Sequence, residues 1–288
     1  MPIVRLGAIH IIESLPTDDL KTGELLYAHA RSFVQQLRPE MTVHFWREET
    51  PAALLGRLRQ IAEDTRSSGR APIVHFETHG RVDCGLWTTA GRYVWWSDLK
   101  GPLTEINTEC GLNMLVVVAA CDGAGLVEVL QVHDRAPVCG LIGSFGEVMV
   151  GVVEAGMLAF YRTLLSTVDV DAALAALNSF VKPGDPPFRL YDAEWFFREV
   201  LGSYFERQCT EDALARRTAQ MVEQARQDAE AEGRITTPEV LALLTDQFAA
   251  RVRDPHWIFN WSRGVFFMED LHPDHATRFK VSLADCQR

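Results

Sequence analysis

The chain has 288 residues, 47% hydrophobic and 23% charged, enough to bury a full core in one large domain or in a domain with an appendage. A formal net charge of −11, with lysine only at Lys21, Lys100, Lys182 and Lys280 and the arginines scattered, argues against a nucleic-acid surface, whose affinity comes from clustered cations. The longest apolar run, 114–121, is far short of the roughly 20 residues that span a bilayer, and MPIVRLGAIHIIESL reads as a strand rather than a signal peptide, so the expectation is a soluble, cytoplasmic protein.

Residues 3–13 form a β-branched apolar run, and 18–37 place Leu20, Leu25, Leu26, Phe33, Val34 and Leu37 at helical spacing. This strand–helix unit repeats with a strand at 42–46 and a helix over 52–66. A third strand, 72–76, leads into Glu77-Thr78-His79-Gly80. Two short β pieces, 84–88 and 92–96, flank Thr89-Ala90-Gly91 and predict a hairpin. After an N-cap at Ser97-Asp98, residues 99–110 read as a helix interrupted early by Gly101-Pro102. The stretch LNMLVVVAA, 112–120, has no polar alternation beyond Asn113, as expected of a strand buried on both faces. It runs into Cys121-Asp122-Gly123-Ala124-Gly125, followed by a helix over 126–132, a strand over 136–144 and a helix over 147–165. Beyond Asp171 the pattern is mainly helical, with Phe188 to Tyr191 as a last short strand and helices over 212–231 and 238–252. Strands alternating with helices imply an α/β fold: a mostly parallel central sheet covered on both faces, over 1–205, with a helical C-terminal extension over 206–288.

Chemistry in such sheets gathers at the carboxyl ends of strands. His79 ends the third strand and Cys121 the apolar one, and each has a glycine within two residues. Cys84, Cys110, Cys139, Cys209 and Cys286 have no comparable setting, and no C-x-x-C pair points to zinc or redox chemistry. His272-Pro273-Asp274-His275, with His256 nearby, is interrupted by proline and makes a poor metal site. In GLIGSFG, 140–146, Ile142 stands where a serine-hydrolase elbow needs its first glycine. There is no phosphate-binding loop or dinucleotide fingerprint, so no cofactor is expected.

The segments VHFETHG and VVVAACDGAG resemble the caspase-like cysteine peptidases, in particular their bacterial CHAT branch, over about residues 1–205. The resemblance departs from true caspases at Ala119 and Asp122, which flank the Ala-Cys pair. It implies a caspase-like αβα sandwich and a Cys121–His79 dyad, with backbone N–H groups of Gly80 and Cys121 forming an oxyanion hole. A helix beginning near Leu126 would help to ionise the Cys121 thiol. The substrate would be a protein or peptide, and relatives in bacterial defence or regulated proteolysis are commonly latent until a partner protein activates them. Neutral Ala119 predicts an uncharged, apolar P1 side chain, with Asp122 and Ser144 as further pocket residues. The alternative is a catalytically silent caspase-like module that binds a partner protein.

Overall fold

A computed structural model describes residues 6–287. The chain divides into two compact units: 1–130 with 135–193, and 194–288 with the four-residue excursion 131–134.

The first unit is α/β. Its strands are β1 (Leu6–Ser14), β2 (Thr42–Arg47), β3 (Ala71–Thr78), β7 (Leu115–Ala119), β8 (Gly140–Gly143) and β9 (Arg189–Asp192), ordered β2-β1-β3-β7-β8-β9. The first five run parallel and β9 pairs antiparallel with β8. Three short strands, β4 (Gly80–Arg81), β5 (Gly85–Thr88) and β6 (Arg92–Trp95), make a separate antiparallel sheet after His79. The helices are α1 (Thr22–Leu37), α2 (Pro51–Ser68), α3 (Trp96–Glu109), α4 (Val150–Thr167) and α5 (Val170–Asn178).

Strand order and the right-handed rule for parallel crossovers together fix the layers. β1-α1-β2 steps one way along the sheet, while β2-α2-β3 and β3-α3-β7 step the other way, so α1 lies on one face and α2 and α3 on the opposite one. On the α1 face, Ile9, Ile11, Ile73, Leu115, Val117 and Ile142 pack with Leu26 and Val34 of α1 and with Met157, Phe160 and Tyr161 of α4. β7 is buried at every residue, as its unbroken apolar run requires. Helix ends follow local chemistry. Thr50 caps α2 by accepting the Ala53 N–H, Pro51 opens the helix, and Gly69 closes it at φ 63°, a left-handed conformation that glycine adopts without a Cβ clash.

Three expectations need correction. The first helix begins at Thr22 and not at Asp18, because Lys21 reaches back to the Leu15 and Pro16 carbonyls and holds 16–20 as a turn. Gly101-Pro102 does not interrupt α3; proline removes only the bond to the Asp98 carbonyl, and Asp98 accepts the Trp95 N–H at the helix start. After Cys121 there is no α-helix but a single 3-10 turn, Gly125–Val129. A Cβ on Gly125 would meet the buried Trp96 ring at 2.4 Å, and one on Gly123 would meet Val118 at 2.9 Å, so the segment is packed as a tight turn.

The second unit is helical: α6 (Ala193–Gln208), α7 (Glu211–Ala231), α8 (Pro238–Arg253), α9 (Pro255–Phe266) and α10 (His275–Arg278). Its core is aromatic, with Phe197 of α6 against the rings of Phe259, Phe266 and Phe267 at 5.8, 5.4 and 5.1 Å. No helix among the described residues is long and apolar enough to cross a membrane.

Candidate active site

The carboxyl ends of β1, β3 and β7 open into a cleft of about 250 Å³. Register sets its floor: Glu77 of β3 pairs with Ala119 of β7, both bordering the cleft, and with Glu13 of β1, buried beside it. These three residues share one face of the sheet, and the small Ala119 side chain leaves a hollow above the strand. Leu15, Val148, Val150 and Val153 supply aliphatic walls, and His79 and Cys121 both border the space.

His79 is half exposed, and its Nε2 lies 2.7 Å from Asp19 Oδ2 in the β1–α1 turn. With Asp19 accepting from Nε2–H, Nδ1 is the nitrogen left for other partners. Cys121 Sγ accepts the Val148 N–H at 3.4 Å. No hydrogen bond joins His79 to Cys121 among the described residues. A backbone donor from the segment before α4 therefore stands at the sulfur, in place of the helix N-terminus expected there.

The backbone next to these side chains is tightly constrained. A Cβ on Gly80 would lie 2.4 Å from the Cys121 carbonyl oxygen, so only glycine lets the hairpin approach the Cys121 turn. Trp87 N–H donates to the His79 carbonyl, which makes Gly80 and Leu86 a pair without mutual hydrogen bonds and leaves the Gly80 N–H unused by β5. The Cys121 N–H has no backbone partner among the described residues. Asp122 sits at φ 54°, a left-handed conformation that Asp tolerates better than most side chains. Its carboxylate accepts the Val82 N–H at 3.3 Å, tying the Cys121 turn to the hairpin.

Of the other expected pocket residues, Ala119 borders the cleft, whereas Asp122 and Ser144 do not. Ser144 is fully buried and its Oγ has no hydrogen-bond partner among the described residues. The remaining thiols stand elsewhere: Cys110 and Cys139 are buried, burial pushes Cys286 up to about 11 and raises Cys209, and Cys84 is raised by desolvation and by Asp83. No group of three His, Cys, Asp or Glu among the described residues is arranged to hold a metal ion.

Two features escaped the sequence reading. Asp19 is one, because a residue 60 positions before His79 carries no local sign of contact with it. The other is a buried polar network below the cleft. Glu77 accepts the Thr22 hydroxyl and pairs with His75 Nε2, each at 2.8 Å, and Tyr161 Oη lies 3.1 Å from His75 Nδ1. Burial holds the Tyr161 phenol well above its ordinary range, with Glu77 adding to the effect, so it stays a neutral donor to His75. Next to this network, Glu13 accepts from Arg47 and from the Glu24 N–H, both at 3.2 Å. Acids at the ends of two adjacent apolar strands, Glu13 and Glu77, were the available signal.

The chain matches no protein-family model and no curated protein.

Proposed function

We propose that the chain is a caspase-like cysteine endopeptidase, with Cys121 as nucleophile and His79 as acid and base. The observation that carries this reading is the convergence of the two side chains on one cleft at the carboxyl ends of the adjacent strands β3 and β7, where open α/β sheets do their chemistry. His79 takes the Cys121 thiol proton, and Sγ attacks the scissile carbonyl carbon, the C–S bond forming as the carbonyl π pair moves onto oxygen. The unspent N–H groups of Gly80 and Cys121 are the donors for that oxyanion. Collapse breaks the C–N bond, and His79 delivers a proton to the departing amine. Water, deprotonated by His79, then hydrolyses the thioester and frees the thiolate. Asp19 is a positioning residue that fixes the imidazole tautomer. The aliphatic walls suit an uncharged, apolar P1 side chain.

A second reading, a catalytically silent caspase-like module that binds a partner protein, draws on the absence, among the described residues, of a His79–Cys121 hydrogen bond. One experiment separates these readings: the chain and its Cys121→Ala and His79→Ala variants are treated with a peptidyl electrophile, and modification is mapped by mass spectrometry. Labelling confined to Cys121 and slowed at least tenfold without His79 supports an active dyad. Equal reaction at Cys121 and Cys84, unaffected by His79→Ala, rejects the dyad and leaves the binding module.

A further inference from the structure

We propose that the helical unit carries a ligand site of its own, for a planar aromatic molecule bearing an acidic group. Within this unit a cavity of about 460 Å³ is bordered by Trp257, Trp261, Tyr204, Arg217, Gln220 and His133, among others, a size typical of small-molecule sites.

The lining has a consistent chemistry. Trp257 and Trp261 stand one turn apart on α9 with nearly parallel rings, 6.0 Å between centroids and 4° between planes. Trp261 remains 44% exposed, so its ring offers a flat face to solvent and is not spent on the core. Large aromatic surfaces left open in this way are characteristic of binding sites. The Tyr204 ring lies 4.8 Å from the Arg217 guanidinium carbon.

Charge decides the class of ligand. Among the described residues that border the cavity none is acidic, although the chain as a whole carries −11. Arg217 donates to the Tyr204 hydroxyl and to the Gln208 carbonyl, and no carboxylate neutralises it among the described residues. A guanidinium held by neutral acceptors beside stacked aromatics retains its charge for an anion. The site therefore suits a flat ring that stacks on the exposed Trp261, itself backed by Trp257, and presents a carboxylate, sulfonate or phosphate to Arg217. His133, from the short excursion 131–134, and Gln220 supply further hydrogen-bonding groups.

The probe is 8-anilinonaphthalene-1-sulfonate, titrated against the full chain and read both by its own emission and by energy transfer from tryptophan. We expect one saturable site per chain, affinity reduced at least tenfold by Trp261→Ala and by Arg217→Gln, and affinity retained by Arg217→Lys. N-phenyl-1-naphthylamine, the same ring system without the sulfonate, should bind at least tenfold more weakly. Thermal melts of the variants, compared with that of the unaltered chain, show that loss of binding is not loss of fold. AMP and indole-3-acetate are then used as competitors: displacement by the first marks a phosphate ligand, by the second a carboxylate ligand. Non-saturable binding, equal affinity for the uncharged probe, indifference to both Trp261→Ala and Arg217→Gln, or failure of both competitors would each overturn the assignment.

Discussion

Gly80→Ala places a methyl group 2.4 Å from the Cys121 carbonyl oxygen and 3.2 Å from the Ala120 Cβ. Carbon and oxygen at ordinary contact stand about 3.3–3.6 Å apart, so the hairpin and the Cys121 turn must separate by about 1 Å. The obstacle is backbone and not the tip of a flexible side chain, and the turn is further held by the Asp122–Val82 bond. The displacement therefore reaches the Cys121 Cα and the two N–H groups beside it. A misplacement of about 1 Å at a reacting centre costs roughly 100-fold in rate, while overpacking at one site costs about 1–3 kcal/mol of stability. The assay follows the rate of Cys121 modification by a peptidyl electrophile, with Cys84 in the same molecule as internal reference, alongside a urea unfolding curve. We expect the Cys121 rate to fall by roughly 10- to 100-fold with the Cys84 rate unchanged, in a chain that still unfolds cooperatively. A Gly80→Ala variant that melts and reacts like the unaltered chain would refute the close approach on which the proposed oxyanion geometry rests.

Asp19→Asn should slow the same Cys121 reaction, within the roughly 100-fold that an acid/base partner supplies, and alter its pH profile; an unchanged profile would show that Asp19 does not govern His79. His10 is buried and held at about 4, first by desolvation and then by His44, below its ordinary 6.5. The unfolded chain thus binds the extra proton between these values, so the stability from burying neutral His10 is complete above pH 6.5 and lost as pH falls towards 4, by about 3 kcal/mol in all. His10→Phe should flatten that limb of the stability–pH curve, and urea midpoints that fall as steeply in the variant would contradict the burial argument. Gly56 lies inside α2 with nothing within 4 Å of an added Cβ, so Gly56→Ala should stabilise by about 0.5–1 kcal/mol, and a lower melting temperature would count against that account.

How far the sequence could be read depended on whether the deciding interaction was local. The apolar run of β7 could take only one place, at the centre of a parallel sheet, and the capping chemistry of α2 lies within a few residues of its ends. The ends of β3 and β7 bring His79 and Cys121 to one cleft for the same reason: strand alternation with helices fixes both the topology and the edge where loops gather. Long-range contacts were not legible. The start of α1 depends on Lys21 folding back onto carbonyls, a choice that a window of helical spacing does not contain. The turn after Cys121 is decided by Trp96 and Val118 packing against Gly125 and Gly123, while Leu126 and Val127 taken alone suggest a helix. Glu77 and His75 carry no local sign of the contacts that Thr22 of α1 and Tyr161 of α4 make with them.

The division of the chain also bears on how it can be cut. The polypeptide passes between the two units three times, after Leu130, after Asp134 and after Ala193. A gene truncated at residue 193 would not yield a self-contained α/β unit, because residues 131–134 would lose the unit to which they belong. A single protease nick between 193 and 194 would leave that same stretch, which groups with the helical unit, covalently attached to the α/β fragment. Because this stretch begins ten residues past Cys121, part of the helical unit comes from the segment that follows β7, and the unit cannot be exchanged for another module by a single splice.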